Sequence, residues 1–432
     1  MSAVYDILEH TIQASHIREY ARATAQSQDE PLLLHVKQYV PKDNAQPQRG
    51  DLTIIGAHAN GFPKELYEPL WDDLHAQCLE LKMGIRAIWI FDAAWQGLSG
   101  LLNHGRLGDD PCWNDVARDM MHMINTFRMP RPIIGIGHSF GGNCLVNLSL
   151  LHPRLLETII LIDPIIGSCT LSPESLAHQP IGSSIRRRVR WPSRAAAAQS
   201  MRSKPFYQAW DPRVLDKWLQ YGLCSLAQHH ESSQDDSQQV TLTTTRDQEV
   251  FTYFRPSWPA FDPSGSKIIH PHLVPDVSHS PDSLAAIFPV YRPESINTMD
   301  RLPHVRSPVL YITGGLSFTA LPMFSGHGDG SGGSWLHTTG IGTGGSGGAA
   351  VGRVGQLIHP DHGHLIPFEI PSYCALHAAS WIRCHLDCWW KNEVQFDHWA
   401  RKPLAEKTTV SDEYKRRIGV TPQQIAKDKA ML

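Results

Sequence analysis

Pro132-Ile133-Ile134-Gly135-Ile136-Gly137-His138-Ser139-Phe140-Gly141-Gly142 is the stretch that decides how this chain is read. It opens as a short apolar run, the pattern of a strand buried on both faces of a parallel sheet. It then passes through Gly137-His138-Ser139-Phe140-Gly141, which fits the pattern G-x-S-x-G. The residues Asn143 to Leu151 that follow read as a helix. The pentapeptide alone is a weak signal. Set between a buried strand and a helix, it has the strand–turn–helix context of a nucleophile elbow, in which a tight turn projects the serine hydroxyl and the helix start favours developing negative charge. Ser139 is therefore the candidate nucleophile.

Working outward, Leu32–Val40 reads as the first strand, Leu52–Ala57 as a buried strand and Lys64–Lys82 as an amphipathic helix. Ile85–Ile90 is a strand, Trp113–Phe127 a helix and Thr158–Ile162 a further strand. Alternating strands and helices predict a parallel sheet with helices on both faces. The alternation breaks after Pro164 and resumes with the strands Val309–Ile312 and Gln356–His359 and a helix from about Ile370 to Trp390. The expected division is a core over 1–163, an inserted, mainly helical cap over 164–304, a second core part over 305–400 with a glycine-rich loop at 326–355, and a tail over 401–432. The cap aromatics, among them Trp191, Phe206, Trp210, Trp218 and Phe254, read mostly as the packing of that insertion.

A serine hydroxyl needs a base. After the last predicted strand comes Asp361-His362-Gly363-His364-Leu365, and His364 is the candidate, ahead of His362 and His359. The strand ending at Ile312 runs into Thr313-Gly314-Gly315-Leu316-Ser317 without a carboxylate. The acid is therefore sought at the end of the preceding strand, where Asp163 stands. Asp329 in the glycine-rich segment is the alternative. An oxyanion hole needs two backbone N–H donors. Phe140, the residue after the nucleophile, is one. The loop His58-Ala59-Asn60-Gly61-Phe62-Pro63 offers the other, through Phe62 or Asn60.

With 432 residues, 41% apolar and 19% charged, the chain has the composition of a globular protein with a sizeable core. Its net charge of −3 leaves no nucleic-acid footprint; Arg186-Arg187-Arg188 reads as a solvated turn or helix face. No stretch is long and apolar enough to span a bilayer. Eight dispersed cysteines without CxxC spacing argue against a zinc ribbon and for reduced thiols in an intracellular compartment. The terminal Ala430-Met431-Leu432 matches a peroxisomal address at its first and third positions but not at Met431, so peroxisome and cytoplasm both stand.

With these motifs in place, the chain resembles the α/β-hydrolases, and within them a fungal branch of the AK-toxin and AF-toxin biosynthesis type related to a yeast peroxisomal lipase. The resemblance runs through His58-Ala59-Asn60-Gly61-Phe62-Pro63-Lys64-Glu65, the elbow, Leu161-Ile162-Asp163-Pro164, Trp191-Pro192-Ser193-Arg194, Trp210-Asp211-Pro212-Arg213 and Gly363-His364-Leu365-Ile366-Pro367-Phe368-Glu369. It implies a serine hydrolase that cuts or transfers an ester or thioester of a hydrophobic or polyketide acid in secondary metabolism. Such an enzyme uses a Ser139–His364–Asp163 relay and needs no metal or organic cofactor. Lactone opening, dehydration or cyclisation at the same site is the alternative chemistry, and a non-catalytic binding protein of this fold is the alternative class.

Overall fold

The apolar run leading into Ser139 forms a strand that is buried at every position and sits inside an eight-stranded sheet. The computed structural model describes residues 2–167, 176, 179–228, 238–276, 287–320 and 335–430. The strands before the elbow are β1 (Tyr5–Gln13), β2 (Leu33–Pro41), β3 (Leu52–Ala57) and β4 (Ile85–Phe91). The elbow strand is β5 (Ile133–His138), and β6 (Thr158–Ile162) follows it. Five short strands then form two small sheets outside the main one: β7 (Arg190–Trp191), β8 (Leu223–Ser225) and β9 (Val240–Leu242) in one, β10 (Arg255–Pro256) and β11 (Val290–Tyr291) in the other. The chain rejoins the main sheet with β12 (Val309–Gly314) and β13 (Val354–His359).

The order across the main sheet is β1-β2-β4-β3-β5-β6-β12-β13. Pairing is antiparallel from β1 to β2 and from β2 to β4, and parallel from β4 onward. One strand precedes the first expected one. Tyr5–Gln13 pairs along its whole length with β2 at the edge of the sheet, and of its nine residues only Tyr5 is buried, as befits an edge strand open to solvent.

The helices α1 (Glu68–Glu80), α2 (Gly97–Leu102), α3 (Trp113–Thr126) and α4 (Phe140–Leu151) connect β3 through β6. Met120 and Met123 of α3 and Cys144, Leu145 and Leu148 of α4 join Ile55, Ile133 and Ile159 in one buried cluster. Burying such side chains contributes roughly 25 cal/mol per Å² of apolar surface. Within the segment between β6 and β12, Trp191, Trp210 and Trp218 are buried as expected, whereas Phe206 is 52% exposed. Cys384–Leu432 form a second unit, made of the end of the helix Pro371–Ala400 and the helices Leu404–Thr408, Asp412–Arg417 and Pro422–Ala430. The long helix continues past Trp390, where the sequence reading ended it. Asp329, the glycine-rich residues 326–334 and the terminal Met431-Leu432 lie outside the described residues. Among the described residues no helix is long and apolar enough to cross a membrane.

Beneath the loop that follows β3, charges are buried together. Lys64 donates from its Nζ to Asp92 Oδ2 at 2.6 Å and from its backbone N–H to Oδ1 at 3.0 Å. Glu65 Oε1 lies 3.0 Å from Lys64 Nζ and 3.1 Å from Lys37 Nζ. Burial opposes the charge on Asp92, but the Lys64 ammonium outweighs it and holds the carboxyl below its usual range. Removing one partner strands the others in a dry interior. Lys64→Met should therefore cost about 3–5 kcal/mol in denaturant unfolding, with part of it recovered when Asp92→Asn is added. A loss under about 1 kcal/mol would show that these charges are solvated.

Candidate active site

Strand register assembles the site. His138 pairs with Ile162, and Ile162 in turn with Ile312, so Ser139 and Asp163 are the next residues off neighbouring strand ends. Both leave the sheet with positive φ, 59° at Ser139 and 44° at Asp163. Such backbone is costly for residues with a Cβ and persists where surrounding bonds determine it. Here the Ser139 N–H donates to the Ile162 carbonyl at 3.0 Å, and the Ser139 carbonyl accepts from Gly142 and Ile165, each at 3.1 Å. The turn closes tightly: a Cβ at Gly141 would stand 2.5 Å from the carbonyl oxygens of Ala57 and His58.

His364 comes from the loop after β13. That loop lies directly on the end of β12, where a Cβ at Gly314 would come within 2.4 Å of the His362 and Gly363 carbonyl oxygens. Backbone bonds from Gly315 N–H to His359 and from Leu316 N–H to His362 hold it down. The result brings the expected residues together. His364 Nε2 is 2.9 Å from Ser139 Oγ, and His364 Nδ1 is 3.5 Å from Asp163 Oδ1. The first distance is a hydrogen bond. The second is an approach short of one, and among the described residues Nδ1 has no hydrogen-bond partner. His362 instead contacts Glu369 through Nδ1 at 2.8 Å, and the His359 ring stacks edge-on against Tyr373.

Asp163 is fully buried. Gly314 N–H donates to its Oδ2 at 3.2 Å, the Ser317 hydroxyl donates to Oδ1 at 3.0 Å, and the Thr319 hydroxyl also donates to Oδ1. Burial alone would raise this carboxyl. The neighbouring His364 imidazole, the Thr319 hydroxyl and the Gly314 N–H outweigh it and hold the group below the usual carboxylate range. Ser317 and Thr319 went unnoticed in the sequence, although the strand-end segment lacking a carboxylate was the place to look for them.

The two histidines of the elbow and the loop meet through a further chain of bonds. Ala59 N–H donates to the Tyr67 hydroxyl at 2.8 Å, and Tyr67 shares a 2.8 Å bond with His138 Nδ1. His138 Nε2 lies 2.8 Å from the His364 carbonyl. Since a carbonyl only accepts, Nε2 carries the proton and Nδ1 accepts from Tyr67, which assigns the neutral tautomer. Burial, reinforced by the nearby His364, pushes His138 down to about 3.

On the oxyanion side, Phe140 opens α4 and so has no intrahelical acceptor for its N–H. Phe62 N–H donates to the Ala59 carbonyl at 3.3 Å, and its ring packs against Trp210, Trp218 and Phe368. Among the described residues no acceptor takes the Asn60 N–H. The Asn60 side chain is fixed instead: Nδ2 donates to the Glu249 carbonyl at 3.0 Å, and Oδ1 accepts from Gln96 Nε2 at 2.7 Å. Gln96 Oε1 also receives the Gly61 N–H at 2.8 Å. Ser139, Phe140, Asn60 and His364 open onto a cavity of about 110 Å³ that is contiguous with solvent and whose walls include Trp113, Ile165, Ile181, Phe254, Ile296 and Phe318. A concave apolar wall with a few convergent polar groups is the usual form of a small-molecule site.

Comparison with known proteins agrees with this fold. Residues 54–339 match the alpha/beta hydrolase family. The type I acyl-CoA thioesterase mpaH of Penicillium roqueforti is 37% identical, over 89% of this chain and 89% of its own length. The abhydrolase domain-containing protein AKT2 of Alternaria alternata is 30% identical over 59% of this chain and 84% of its own. The peroxisomal alpha-beta-hydrolase Lpx1 of Saccharomyces cerevisiae superposes with a TM-score of 0.64 at 16% identity, covering 100% of both chains. The expected resemblance to fungal α/β-hydrolases and the expected fold are both seen.

The neutral His138 makes stability depend on pH. On acidification the unfolded chain takes up this proton near 6.5, whereas the folded chain does so only near 3. The contribution is whole above about pH 6.5 and shrinks as pH falls toward 3, by at most about 1.4 kcal/mol per pH unit. Urea unfolding from pH 7 to 4 should show a steeper acid loss for the wild type than for His138→Gln. Parallel slopes would mean that His138 titrates normally in the fold.

Proposed function

The chain belongs to the alpha/beta hydrolase family, and from that membership we propose that it cleaves the thioester of a hydrophobic acid by way of a Ser139 acyl-enzyme. The observation that carries this is the 2.9 Å contact between His364 Nε2 and Ser139 Oγ at the wall of an apolar cavity. The thioester is favoured over other acyl derivatives by the similarity to acyl-CoA thioesterases over most of both chains.

In the proposed reaction, His364 Nε2 takes the Ser139 proton as Oγ bonds to the thioester carbonyl carbon. Asp163 faces Nδ1, holds the ring in the tautomer that leaves Nε2 free to accept, and stabilises the imidazolium. The Phe140 N–H and the Asn60 N–H face the oxyanion, and Asn60 is preferred to Phe62 because the Phe62 donor is already spent on Ala59. The carbon–sulfur bond then breaks, and the thiol leaves with the proton from His364. Water enters and gives a proton to His364 as its oxygen attacks the acyl carbon. The acid is released as the Ser139 Oγ–carbon bond breaks and Ser139 regains its proton. Residues 164–304 act as a cap that supplies most of the apolar wall, including Ile181 and Phe254. The relatives from toxin-producing and other fungi fit a role in secondary metabolism.

A fluorophosphonate probe should label the wild type at Ser139 and leave Ser139→Ala unlabelled. Asp163→Asn should lower thioester turnover by on the order of 10⁴, the loss known for the equivalent change in a serine protease. Labelling that survives Ser139→Ala, or near-normal turnover in Asp163→Asn, would overturn the assignment.

A further inference from the structure

His58 opens the loop after β3, is buried, and stands shortly before Asn60. Two bonds define its ring. Ala93 N–H donates to Nε2 at 2.9 Å, so Nε2 is the acceptor. Nδ1 lies 2.9 Å from the Ala59 carbonyl oxygen, which only accepts, so Nδ1 carries the proton. Each contact by itself assigns the same neutral tautomer. Burial pushes the pKa of the ring down and so favours that neutral form. The ring also stands edge-on to Phe140, with ring centres 5.5 Å apart.

The bond to Ala59 matters because of what lies at the other end of the same peptide unit. That unit joins the Ala59 carbonyl to the Asn60 N–H. It is planar and trans, so the two groups point in opposite directions. Phe62 N–H donates to the same carbonyl oxygen at 3.3 Å, and together with His58 it claims both lone pairs. On either side, Ala59 N–H is held by the Tyr67 hydroxyl and Gly61 N–H by Gln96 Oε1. The orientation of the unit is thus set from its carbonyl end. Ala59 and Asn60 line the cavity in front of Ser139, whereas His58 is not among its lining residues. His58 reaches that space only through the peptide it grips and the Phe140 it packs against.

We infer that His58 is a positioning residue of the oxyanion hole: by donating Nδ1–H to the Ala59 carbonyl, it turns the Asn60 N–H toward the oxyanion. The inference rests on the acyl-enzyme reading above and adds the side chain that aims one of its donors. Its effect falls on the rate of the step that forms the oxyanion. An N–H aimed at charge that develops only in the transition state contributes little to binding in the ground state.

Two substitutions in the full chain separate aiming from packing. His58→Asn keeps an amide N–H at the place of Nδ1 and loses the acceptor for Ala93. His58→Gln keeps an oxygen at the place of Nε2 for Ala93 and loses the donor to Ala59. The first leaves the buried Ala93 N–H unpaired, whereas in the second the Ala59 carbonyl still has Phe62. Urea unfolding should therefore find His58→Asn at least as destabilised as His58→Gln. The rates should run the other way. A fluorophosphonate probe reads them, because its phosphoryl oxygen takes the place of the oxyanion when it bonds to Ser139. His58→Asn should label close to the wild-type rate, and His58→Gln about 10²-fold more slowly, with the concentration for half-saturation unchanged. Equal slowing in both variants, or a slower His58→Asn, would make His58 structural and overturn the inference. So would wild-type rates in both, which would leave the acyl-enzyme reading intact. A wild type that the probe does not label at Ser139 would sink that reading, and the inference with it. The tautomer is read without any substitution. In NMR spectra of the histidine ring nitrogens, the ring in contact with Phe140 should be the Nδ1–H form. The Nε2–H form there would overturn the inference whether or not the variants fold.

Discussion

The buried carboxylate of Asp163 holds the carboxyl edge of the sheet together. Removing a carboxylate from water costs several kcal/mol unless its oxygens are bonded. Here the bonds come from the end of β12 and the turn after it, with the His364 ring alongside. A group that needs all of these neighbours to remain charged fixes where they must lie. The positive φ at Asp163 and the matching one at Ser139 follow from the same constraint, because both side chains must turn off their strands toward a histidine that neither strand carries.

A second set of bonds fixes the opposite side of the site. Gln96 holds Asn60 and Gly61, the Glu249 carbonyl holds the Asn60 amide, and the Glu249 carboxylate receives Ser184 and Arg187. The loop after β3 is thereby anchored to the segment that lies between β6 and β12. The buried Lys64–Asp92 pair supports that loop from beneath. On the proposed mechanism the backbone donors of this loop are thus set in advance by side chains beneath and beside it, the arrangement that makes electrostatic stabilisation effective.

Much of this was legible in the residues. The buried strand before Gly137, the glycines around Ser139 and the alternation of elements led to a parallel sheet and to the three side chains that now stand together. What escaped the reading was of one physical kind. Tyr5–Gln13 belongs to an edge strand, and its largely exposed residues carry no apolar run that marks a strand. The hydroxyls of Ser317 and Thr319 replace a carboxylate only because β6 places Asp163 beside them. Gln96, Tyr67 and Glu249 act through bonds to partners distant in the chain, 189 residues apart for Asn60 and Glu249. Local pattern carries no trace of such pairings. The choice between Asn60 and Phe62 was open for the same reason, since it depends on which amide an adjacent carbonyl has already claimed.

Placing the carboxylate on β6 has an evolutionary corollary. The turn after β12 supports that group with small hydroxyls, and it also carries Phe318, whose ring centre is 4.6 Å from that of His364 and forms part of the cavity wall. On the proposed mechanism the acid itself stands on β6, while part of the acyl wall stands on the turn that supports that acid. On that mechanism, exchange of the ring at position 318 would alter the shape offered to an incoming chain and leave the acid on its own strand, so that substrate preference would diversify without re-inventing the chemistry.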